Sequence, residues 1–186
     1  MPTAVFPHAL DTDRLRLRKW RREDAPRLLP VLEANVEYVG GWIPSHVASP
    51  VPLPELERRL SGFAEDFAAG RCWRWALFTR GSDAPLGEVS LFPRSATERV
   101  PFAAADRLEI GYWLDREATG KGYATEAARA LFDLARRVPG IVQVEIHCDP
   151  RNLPSAAVPR RLGFRLVDDG SAAEPGAAGM IWASAG

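Results

Sequence analysis

The sequence predicts an α+β (α/β) fold, a mixed β-sheet with helices packed against it, formed by one domain over residues 1–186. Three observations support this prediction. Several short segments alternate apolar and polar residues as strands do, whereas other segments repeat apolar residues at helical spacing. These segments are interleaved in the order β-α-α-β-β-β-α-β-α-β-β, which is typical of a sheet layered with helices. The chain has no internal repeat, and its 186 residues are enough for one sizeable core.

The N-terminal part is predicted to form one strand and two helices. Leucines alternate with arginines over residues 14–18, which indicates a half-buried strand. Asp24 is a candidate N-cap for the first helix, and the Leu-Pro-Glu triplet at 53–55 begins a second helix that ends at Gly70. Residues 39–54 lie between the helices and are rich in proline and glycine. We therefore expect an irregular segment there that is able to line a site.

The centre of the chain is predicted to form three strands. Residues 73–79 alternate in the strand period, a turn follows at 81–85, and residues 86–92 form the returning strand of a hairpin. Residues 93–106 are expected to be a loop, and the third strand covers 108–114.

The C-terminal part is predicted to contain two helices and three strands. Apolar residues repeat at helical spacing over 124–138, until Pro139 and Gly140 stop the helix. A β-branched strand covers 141–148, and a short helix follows at 155–162, with Pro159 inside it as a possible kink. Two closing strands are expected at the positions 164–167 and 180–183.

Composition excludes several classes of function. The 24 lysines and arginines are balanced by 24 aspartates and glutamates, so no global basic field predicts binding to nucleic acid or to a membrane surface. There is neither a membrane-length apolar run nor a signal-peptide pattern. Cys72 and Cys148 form no disulfide framework and lack the spacing of metal ligands. We therefore expect a reduced, cytoplasmic protein that uses no metal.

The most informative segment is a glycine turn between the strand at 108–114 and the helix that follows. Gly120 and Gly122 allow the backbone to approach a ligand closely. The helix start supplies unpaired N–H groups at the positive end of its dipole. Together these features predict an anion site, most naturally for a phosphate.

Two common phosphate motifs do not fit this turn. A dinucleotide fingerprint requires glycine at the position of Thr125. A P-loop requires glycine at the position of Asp115 and a hydroxyl residue at Gly122.

The chain instead resembles the GNAT superfamily of acyl-CoA-dependent N-acetyltransferases, over nearly its whole length. The resemblance is closest to the RimJ/RimL branch, the ribosomal-protein alanine N-acetyltransferases. It is carried by residues 11–18, 42–44, 86–89, 109–114 with 120–128, and by the signature Asn152-x-x-Ser155 with Leu-Gly-Phe at 162–164. This resemblance implies a mixed, mostly antiparallel central sheet of about six or seven strands flanked by about four helices. It also implies acetyl-CoA as cosubstrate and direct transfer of acetyl to an amine.

By this resemblance, the turn and the neighbouring strand and helix ends bind the coenzyme. The backbone N–H groups of 120–124 cradle its pyrophosphate, and Lys121 adds charge unless it is a solvated surface lysine. Backbone groups of strand 108–114 pair with the pantetheine arm, and one N–H there polarises the thioester carbonyl. Thr119 stands where the superfamily turn usually has Gln or Arg. The implied coenzyme residues are Trp113, Leu114, Thr119, Gly120, Lys121, Gly122, Tyr123, Ala124, Asn152 and Ser155.

Two strand carboxylates are candidates for the general base that deprotonates the amine. Glu109 is preferred and Glu145 is second, since relatives use carboxylates in both regions. Both lie in apolar runs, so we expect burial to raise their pKa values. The alternative for each is an outward-facing strand glutamate.

Ser155 is the candidate to hydrogen-bond the departing thiolate, with a helix-start serine as the alternative. The positions after it hold no tyrosine, so no tyrosine acid is expected. Asn152 is expected to position the coenzyme, to cap the helix, or both. His147 is interpreted as structural rather than as a base, and Cys148 as a small buried thiol.

The acceptor amine is left open by the sequence: a protein N-terminus, as the resemblance implies, or a small molecule. The loops around Trp42 and at 93–106 are expected to shape the acceptor pocket. Trp42, Trp73 and Trp75 are candidate acceptor-binding residues, and core packing is the alternative for each. The rival function is a non-catalytic acyl-CoA-binding sensor on the same fold. A sheet edge or the last two strands would be able to support a homodimer.

Overall fold

The computed structural model describes residues 6–170 and 179–185. Its strands are β1 (Ala9–Asp11), β2 (Leu15–Lys19), β3 (Trp73–Thr79), β4 (Gly87–Arg94), β5 (Arg107–Leu114), β6 (Gln143–Cys148), β7 (Arg165–Asp169) and β8 (Met180–Ala183). Its helices are α1 (Ala25–Ala34), α2 (Val36–Val39), α3 (Ser45–Ala48), α4 (Leu53–Ala69), α5 (Tyr123–Ala135) and α6 (Leu153–Leu162). The strands form one sheet in the order β1-β2-β3-β4-β5-β6-β8-β7. The predicted α+β class and mixed, mostly antiparallel sheet are confirmed.

Three short elements, β1, α2 and α3, were not predicted from the sequence. The strand β1 pairs antiparallel with β2, and its three residues are too few to show an alternating pattern. The segment 39–54, which was expected to be irregular, contains the single-turn helix α3. Val47 and Ala48 of this helix are buried, so tertiary packing stabilises a turn that local sequence does not favour.

The sheet is antiparallel at every neighbouring pair except β5 and β6, which are parallel. A parallel pair needs a crossover connection, and α5 provides it. The crossover places the glycine turn and the start of α5 just beyond the C-terminal end of β5.

The parallel pair separates part of the way along its length. β5 and β6 are paired only at three positions, of which Glu109 with Glu145 is the last. Beyond this pair β5 stays bonded to β4 as far as Leu114, and β6 stays bonded to β8. The sheet therefore splits between β5 and β6, and the backbone edge of β5 from Ile110 onward has no strand partner in the described part of the chain.

Apolar clusters lie on both faces of the sheet. On β3, Trp73 and Trp75 belong to the cluster that contains residues of α5 and α6, whereas Ala76 and Phe78 belong to the cluster that contains residues of α1 and α4. Because successive strand residues point to opposite faces, this central strand is buried on both sides.

Candidate functional site

Two adjoining cavities occupy the region where the sheet splits. The large cavity has a volume of about 890 Å³ and extends along the end of β5, the glycine turn and the starts of α5 and α6. The small cavity has a volume of about 380 Å³ and lies between the loop before α3 and residues of β4, β5 and β6. Residues that line both are Trp42, Ile43, Tyr112, Trp113, Asn152 and Ser155. The shared residues show that the two cavities adjoin.

The glycine turn has the backbone that its sequence requires. Gly120 and Gly122 have φ angles of 73° and 80°, a left-handed conformation that residues with a Cβ adopt only at a cost. Gly122 is the N-cap of α5, so the first N–H groups of the helix have no intrahelical acceptor. The turn residues that line the large cavity are Thr119, Gly120, Gly122, Tyr123 and Ala124.

Lys121 is exposed and is absent from the lining of the large cavity. Its backbone carbonyl accepts a 2.9 Å hydrogen bond from Arg14 Nη1. Arg14 also pairs with Glu126 at 2.7 Å, and Thr12 Oγ1 donates to the same carboxylate at 2.5 Å. Burial alone would raise the pKa of Glu126, but these hydrogen bonds and the Arg14 charge lower it. The ionised carboxylate thus ties the first turn of α5 to the start of β2.

The cavity is also lined by residues that sequence analysis did not assign to it. Arg129 on α5 and Arg161 on α6 are exposed and line the large cavity, together with Arg151. Thr125, the residue that does not fit the dinucleotide motif, also lines the cavity. Its buried Oγ1 has no hydrogen-bond partner in the described chain. No local pattern identifies these residues, because they come together only when the two helices pack. Free N–H groups, three cations and an unpartnered hydroxyl suit a ligand that carries phosphates.

Asn152 and Ser155 lie at the start of α6, where the two cavities meet. The Asn152 side chain caps the helix, because its Oδ1 accepts a 3.1 Å hydrogen bond from the Ser155 N–H. The Ser155 hydroxyl donates to the Tyr112 hydroxyl at 3.2 Å, and the Tyr112 hydroxyl donates to the Ser155 carbonyl at 2.8 Å. The prediction that no tyrosine acid is available considered only positions on the helix, and a tyrosine hydroxyl from elsewhere in the chain lies at this junction. Tyr112 reaches Ser155 from β5.

Pro159 explains why the Ser155 carbonyl is free to accept this bond. It lies four residues after Ser155 inside α6, where an ordinary residue would donate its N–H to that carbonyl. Proline has no N–H, so the Tyr112 hydroxyl becomes the donor. Burial raises the pKa of Tyr112, and the hydroxyl therefore stays protonated at neutral pH.

Glu109 lines the small cavity, but both of its carboxylate oxygens are engaged. Arg94 Nη1 donates to Oε2 and Arg99 Nη2 donates to Oε1, each at 2.7 Å. Burial alone would raise the pKa of Glu109, but hydrogen bonds and charge from Arg99, with help from His147 and Arg94, lower it. The expectation that this pKa is raised was wrong. The arginines that reverse it come from the end of β4 and the loop after it.

Glu145 is almost fully buried, and it lines neither cavity. Arg107 Nη1 donates to its Oε1 at 2.7 Å, and His147 Nε2 lies 2.7 Å from its Oε2. Burial alone would raise the pKa of Glu145, but its hydrogen bonds to His147 and Arg107 lower it, contrary to expectation. His147 and Cys148 themselves line the small cavity, and burial raises the pKa of the free Cys148 thiol.

The three candidate acceptor tryptophans are placed differently. Trp42 is 41% exposed and lines both cavities, with the Arg151 guanidinium 5.8 Å from its ring centre. Trp73 and Trp75 are buried in the core beside Phe6 and line neither cavity. Their side chains point to the face of β3 covered by the first apolar cluster, and this placement favours the core alternative for both. Arg99, from the 93–106 loop, lines the small cavity.

The described residues form neither a metal-binding cluster nor a membrane-length helix. Within residues 6–170 and 179–185, no group of three or more His, Cys, Asp or Glu side chains is arranged to hold a metal ion. Over the same residues, none of the helices combines the length and the apolar character needed to cross a bilayer.

Comparison with known proteins gives a consistent set of relatives. The family described as an acetyltransferase (GNAT) domain matches residues 14–165. The uncharacterized N-acetyltransferase p20 of Bacillus licheniformis is 37% identical over 159 residues, which cover 84% of this chain and 82% of p20. The putative ribosomal N-acetyltransferase YdaF of Bacillus subtilis is 27% identical, over 86% of this chain and 81% of YdaF. The chain spans 56% of the length of the probable N-acetyltransferase YjcK of Bacillus subtilis, with 32% identity over 107 residues.

Solved structures share the fold at lower sequence identity. A coenzyme A complex of RimL, the ribosomal L7/L12 alpha-N-protein acetyltransferase, superposes with a TM-score of 0.74 and 22% identity, over 95% of this chain and 97% of RimL. The microcin C7 self-immunity acetyltransferase MccE, solved with acetyl-CoA and AMP, superposes with a TM-score of 0.76 and 18% identity, over 97% and 98% of the two chains. At these identities the superpositions establish the fold.

Proposed function

Because this chain belongs to the GNAT acetyltransferase family, we propose that it is an N-acetyltransferase that transfers acetyl directly from acetyl-CoA to a primary amine. The observation that carries the proposal is the pair of adjoining cavities. The large cavity has polar groups that suit a phosphate-bearing ligand, and the small cavity holds ionisable groups. Ser155 lies where the two cavities meet. A cosubstrate that extends through the large cavity would therefore present its reactive end to the small one.

The proposed coenzyme position follows from the polar groups of the large cavity. The N–H groups of 120–124 receive the pyrophosphate, and Arg129 and Arg161 supply positive charge to the phosphates. Lys121 remains a proposed contributor of charge from the outer side of the turn. The pantetheine arm would follow the unpaired edge of β5 past Trp113 and Leu114, where a backbone N–H would polarise the thioester carbonyl.

The proposed reaction uses the hydroxyl pair at the junction. The amine nitrogen forms a bond to the thioester carbon, the C–S bond breaks, and one amine proton ends on the coenzyme sulfur. The Ser155 hydroxyl would hydrogen-bond the departing thiolate, with Tyr112 behind it as a second protonated hydroxyl. The second proton leaves through a base in the small cavity. Glu109 and Glu145 remain proposed members of this site, as ionised groups that set its charge.

We propose a protein N-terminus as the acceptor, with a small-molecule amine as the alternative. YdaF is named a putative ribosomal N-acetyltransferase, and RimL acts on ribosomal protein L7/L12. MccE, a microcin C7 self-immunity acetyltransferase of the same fold, was solved with the small molecule AMP, which supports the alternative. Trp42, exposed at the junction, is the proposed contact for the acceptor.

The test combines binding with turnover. Calorimetry with acetyl-CoA should show binding, and thiol release should be measured over peptides that begin with alanine or serine and over small amines. Ser155→Ala should lower kcat by about 100-fold while coenzyme binding is kept. Ser61→Ala is the matched control, because its hydroxyl only bonds within α4. Failure of the wild-type protein to bind acetyl-CoA would contradict the proposal.

One observation favours the rival function, a non-catalytic acyl-CoA sensor. Hydrogen bonds from Arg99 lower the pKa of Glu109, and hydrogen bonds to His147 and Arg107 lower that of Glu145, which weakens both as proton acceptors. A sensor would bind acetyl-CoA but release no thiol with any amine. If the wild-type protein and Glu109→Gln both bind acetyl-CoA and neither releases thiol, the result would support the sensor function.

A homodimer and a cytoplasmic location also remain proposals. β7 forms one edge of the sheet, and its Leu166 and Val167 are 45% and 62% exposed. These features support association along that edge. Both cysteines are free and buried, which suits a reducing compartment.

A further inference from the structure

The wall of the small cavity carries an imidazole, His147, that is backed by a buried carboxylate, and the proposed reaction does not yet use this pair. His147 lines the cavity, and its Nε2 lies 2.7 Å from Glu145 Oε2. The His147 side chain is only 9% exposed and that of Glu145 only 3%, so the pair is shielded from bulk water. A buried carboxylate that holds one ring nitrogen fixes both the tautomer and the orientation of an imidazole.

We infer that His147 is the general base of the reaction and that Glu145 is its positioning residue. This inference rests on the proposed N-acetyltransferase function and names a group that the sequence interpretation treated as structural. His147 faces the acceptor side of the site, because it lines the small cavity and not the large one.

The hydrogen bonds around Glu109, Glu145 and His147, the three candidates for the general base, favour the imidazole of His147. Each oxygen of Glu109 and of Glu145 already has a partner at 2.7 Å. His147 Nδ1 has no hydrogen-bond partner among the described residues. With the Nε2 proton donated to Glu145, Nδ1 carries the lone pair that is able to accept a proton.

The acceptor ammonium loses two protons in the reaction, and they take separate routes. The acceptor ammonium gives one proton to His147 Nδ1, directly or through one water, and becomes a neutral amine. The resulting imidazolium is stabilised by the ionised Glu145 and later returns the proton to solvent. The amine nitrogen then forms the C–N bond, the C–S bond breaks, and the remaining surplus proton ends on the coenzyme sulfur beside Ser155.

Other charged groups surround this pair. Arg94 Nε on β4 lies 3.8 Å from Glu145, and Arg107 and Glu109 project from β5. Asp149, Cys148, Arg99 and His46 line the same cavity. The facing strand β8, Met180–Ala183, carries no ionisable side chain. The pH profile is therefore a property of the network, and variants are needed to assign it.

The first test is the variant His147→Gln. It should lower kcat by at least about 100-fold, keep acetyl-CoA binding by calorimetry, and remove the ascending limb of the pH profile of kcat. His8→Gln is the matched control, since His8 is exposed and lines neither cavity. The control should keep the wild-type rate and profile.

The second test is Glu145→Gln, which separates positioning from a purely structural role. Removal of the negative charge makes the imidazole a weaker base, so the ascending limb should move to lower pH while kcat falls. A structural role would lower kcat or stability without that displacement.

The outcomes distinguish this inference from the proposed function. If the wild-type protein acetylates no amine, the proposed function and the inference about His147 are both overturned. If wild-type protein is active and His147→Gln binds acetyl-CoA with an unchanged kcat and pH profile, only the inference is overturned. Should His147→Gln fail to fold, His147→Asn replaces it, and a wild-type profile without an ascending limb overturns the inference independently of any variant.

Discussion

Arginine side chains set the charge state of the acids in this site. Glu109 is paired with Arg94 and Arg99, and Glu145 with Arg107. Burial in a strand would by itself disfavour the ionised carboxylates, but hydrogen bonds outweigh it, from Arg99 to Glu109 and from His147 and Arg107 to Glu145. The small cavity therefore combines permanent charges with the imidazoles of His46 and His147, and the second ring nitrogen of His147 is free within the described chain.

At this scale we predict that Glu109→Gln destabilises the protein in a pH-dependent way. The folded-state pKa of Glu109 lies below its ordinary value of 4.5. Its contribution to stability is therefore full above about pH 4.5 and is lost as the pH falls through the folded-state pKa. At neutral pH the variant should lose about 3 kcal/mol, because Arg94 stays buried without its main partner. The difference from wild type should shrink in acid.

Chemical denaturation at a series of pH values measures this effect. Glu65→Gln is the matched control, since Glu65 is exposed and makes no ion pair in the described structure. A free-energy difference that stays constant from neutral pH into acid would contradict the prediction.

At the scale of elements, the left-handed backbone of the glycine turn makes the turn sensitive to substitution of its glycines. We predict that Gly120→Ala and Gly122→Ala each weaken acetyl-CoA binding by about tenfold or more, because a Cβ strains the backbone that presents the N–H groups. Calorimetry measures the affinity.

Gly140→Ala is the matched control for this turn. Gly140 has a φ angle of 87°, and a Cβ there would meet no atom within 4 Å, as at Gly120. It should lose stability as the turn variants do, yet keep its affinity for acetyl-CoA. Equal affinities in all three variants would count against the turn as the phosphate site.

The proline inside α6 is a second feature at this scale. Pro159→Ala restores an N–H that competes with the Tyr112 hydroxyl for the Ser155 carbonyl. We predict that kcat falls about fivefold, equivalent to about 1 kcal/mol from one weakened hydrogen bond, while the helix is not destabilised. Steady-state kinetics and thermal unfolding measure the two effects.

Pro30→Ala is the control for the proline variant. Pro30 also lies inside a helix, α1, but it is exposed and distant from both cavities. Its replacement should leave kcat unchanged. A kcat of Pro159→Ala equal to that of wild type would show that the Tyr112 bond does not depend on the missing N–H.

At the scale of the whole molecule, one sheet carries both apolar clusters, and the split between β5 and β6 carries both cavities. We predict a single cooperative unfolding transition, as expected of one domain. Acetyl-CoA at about 100 times its Kd should add about 2.7 kcal/mol of stability, because it binds only the folded state. Calorimetric scans with and without acetyl-CoA test this. Two separate transitions, or an unchanged midpoint, would contradict it.

Several parts of the site were predictable because their signals are local. The positive-φ glycines, the helix that follows them and the Asn152 cap are each encoded within a few residues. The arginine partners of Glu109 and the contact of Tyr112 with Ser155 were not predictable. These contacts join residues that are distant in sequence, and no local pattern at one residue predicts which residue it contacts.

The sequence by itself determined the α+β class, most elements, the family resemblance and the location of the glycine turn that we propose as the phosphate site. Hydrophobic period, glycine conformation and helix capping act between near neighbours, so they can be read along the chain. Only the tertiary structure decided that Trp73 and Trp75 are core residues, that both strand glutamates are held ionised, and that His147 stands against Glu145 in the small cavity. Burial and electrostatics depend on which strands pair and where they separate, because charges interact through space rather than along the sequence.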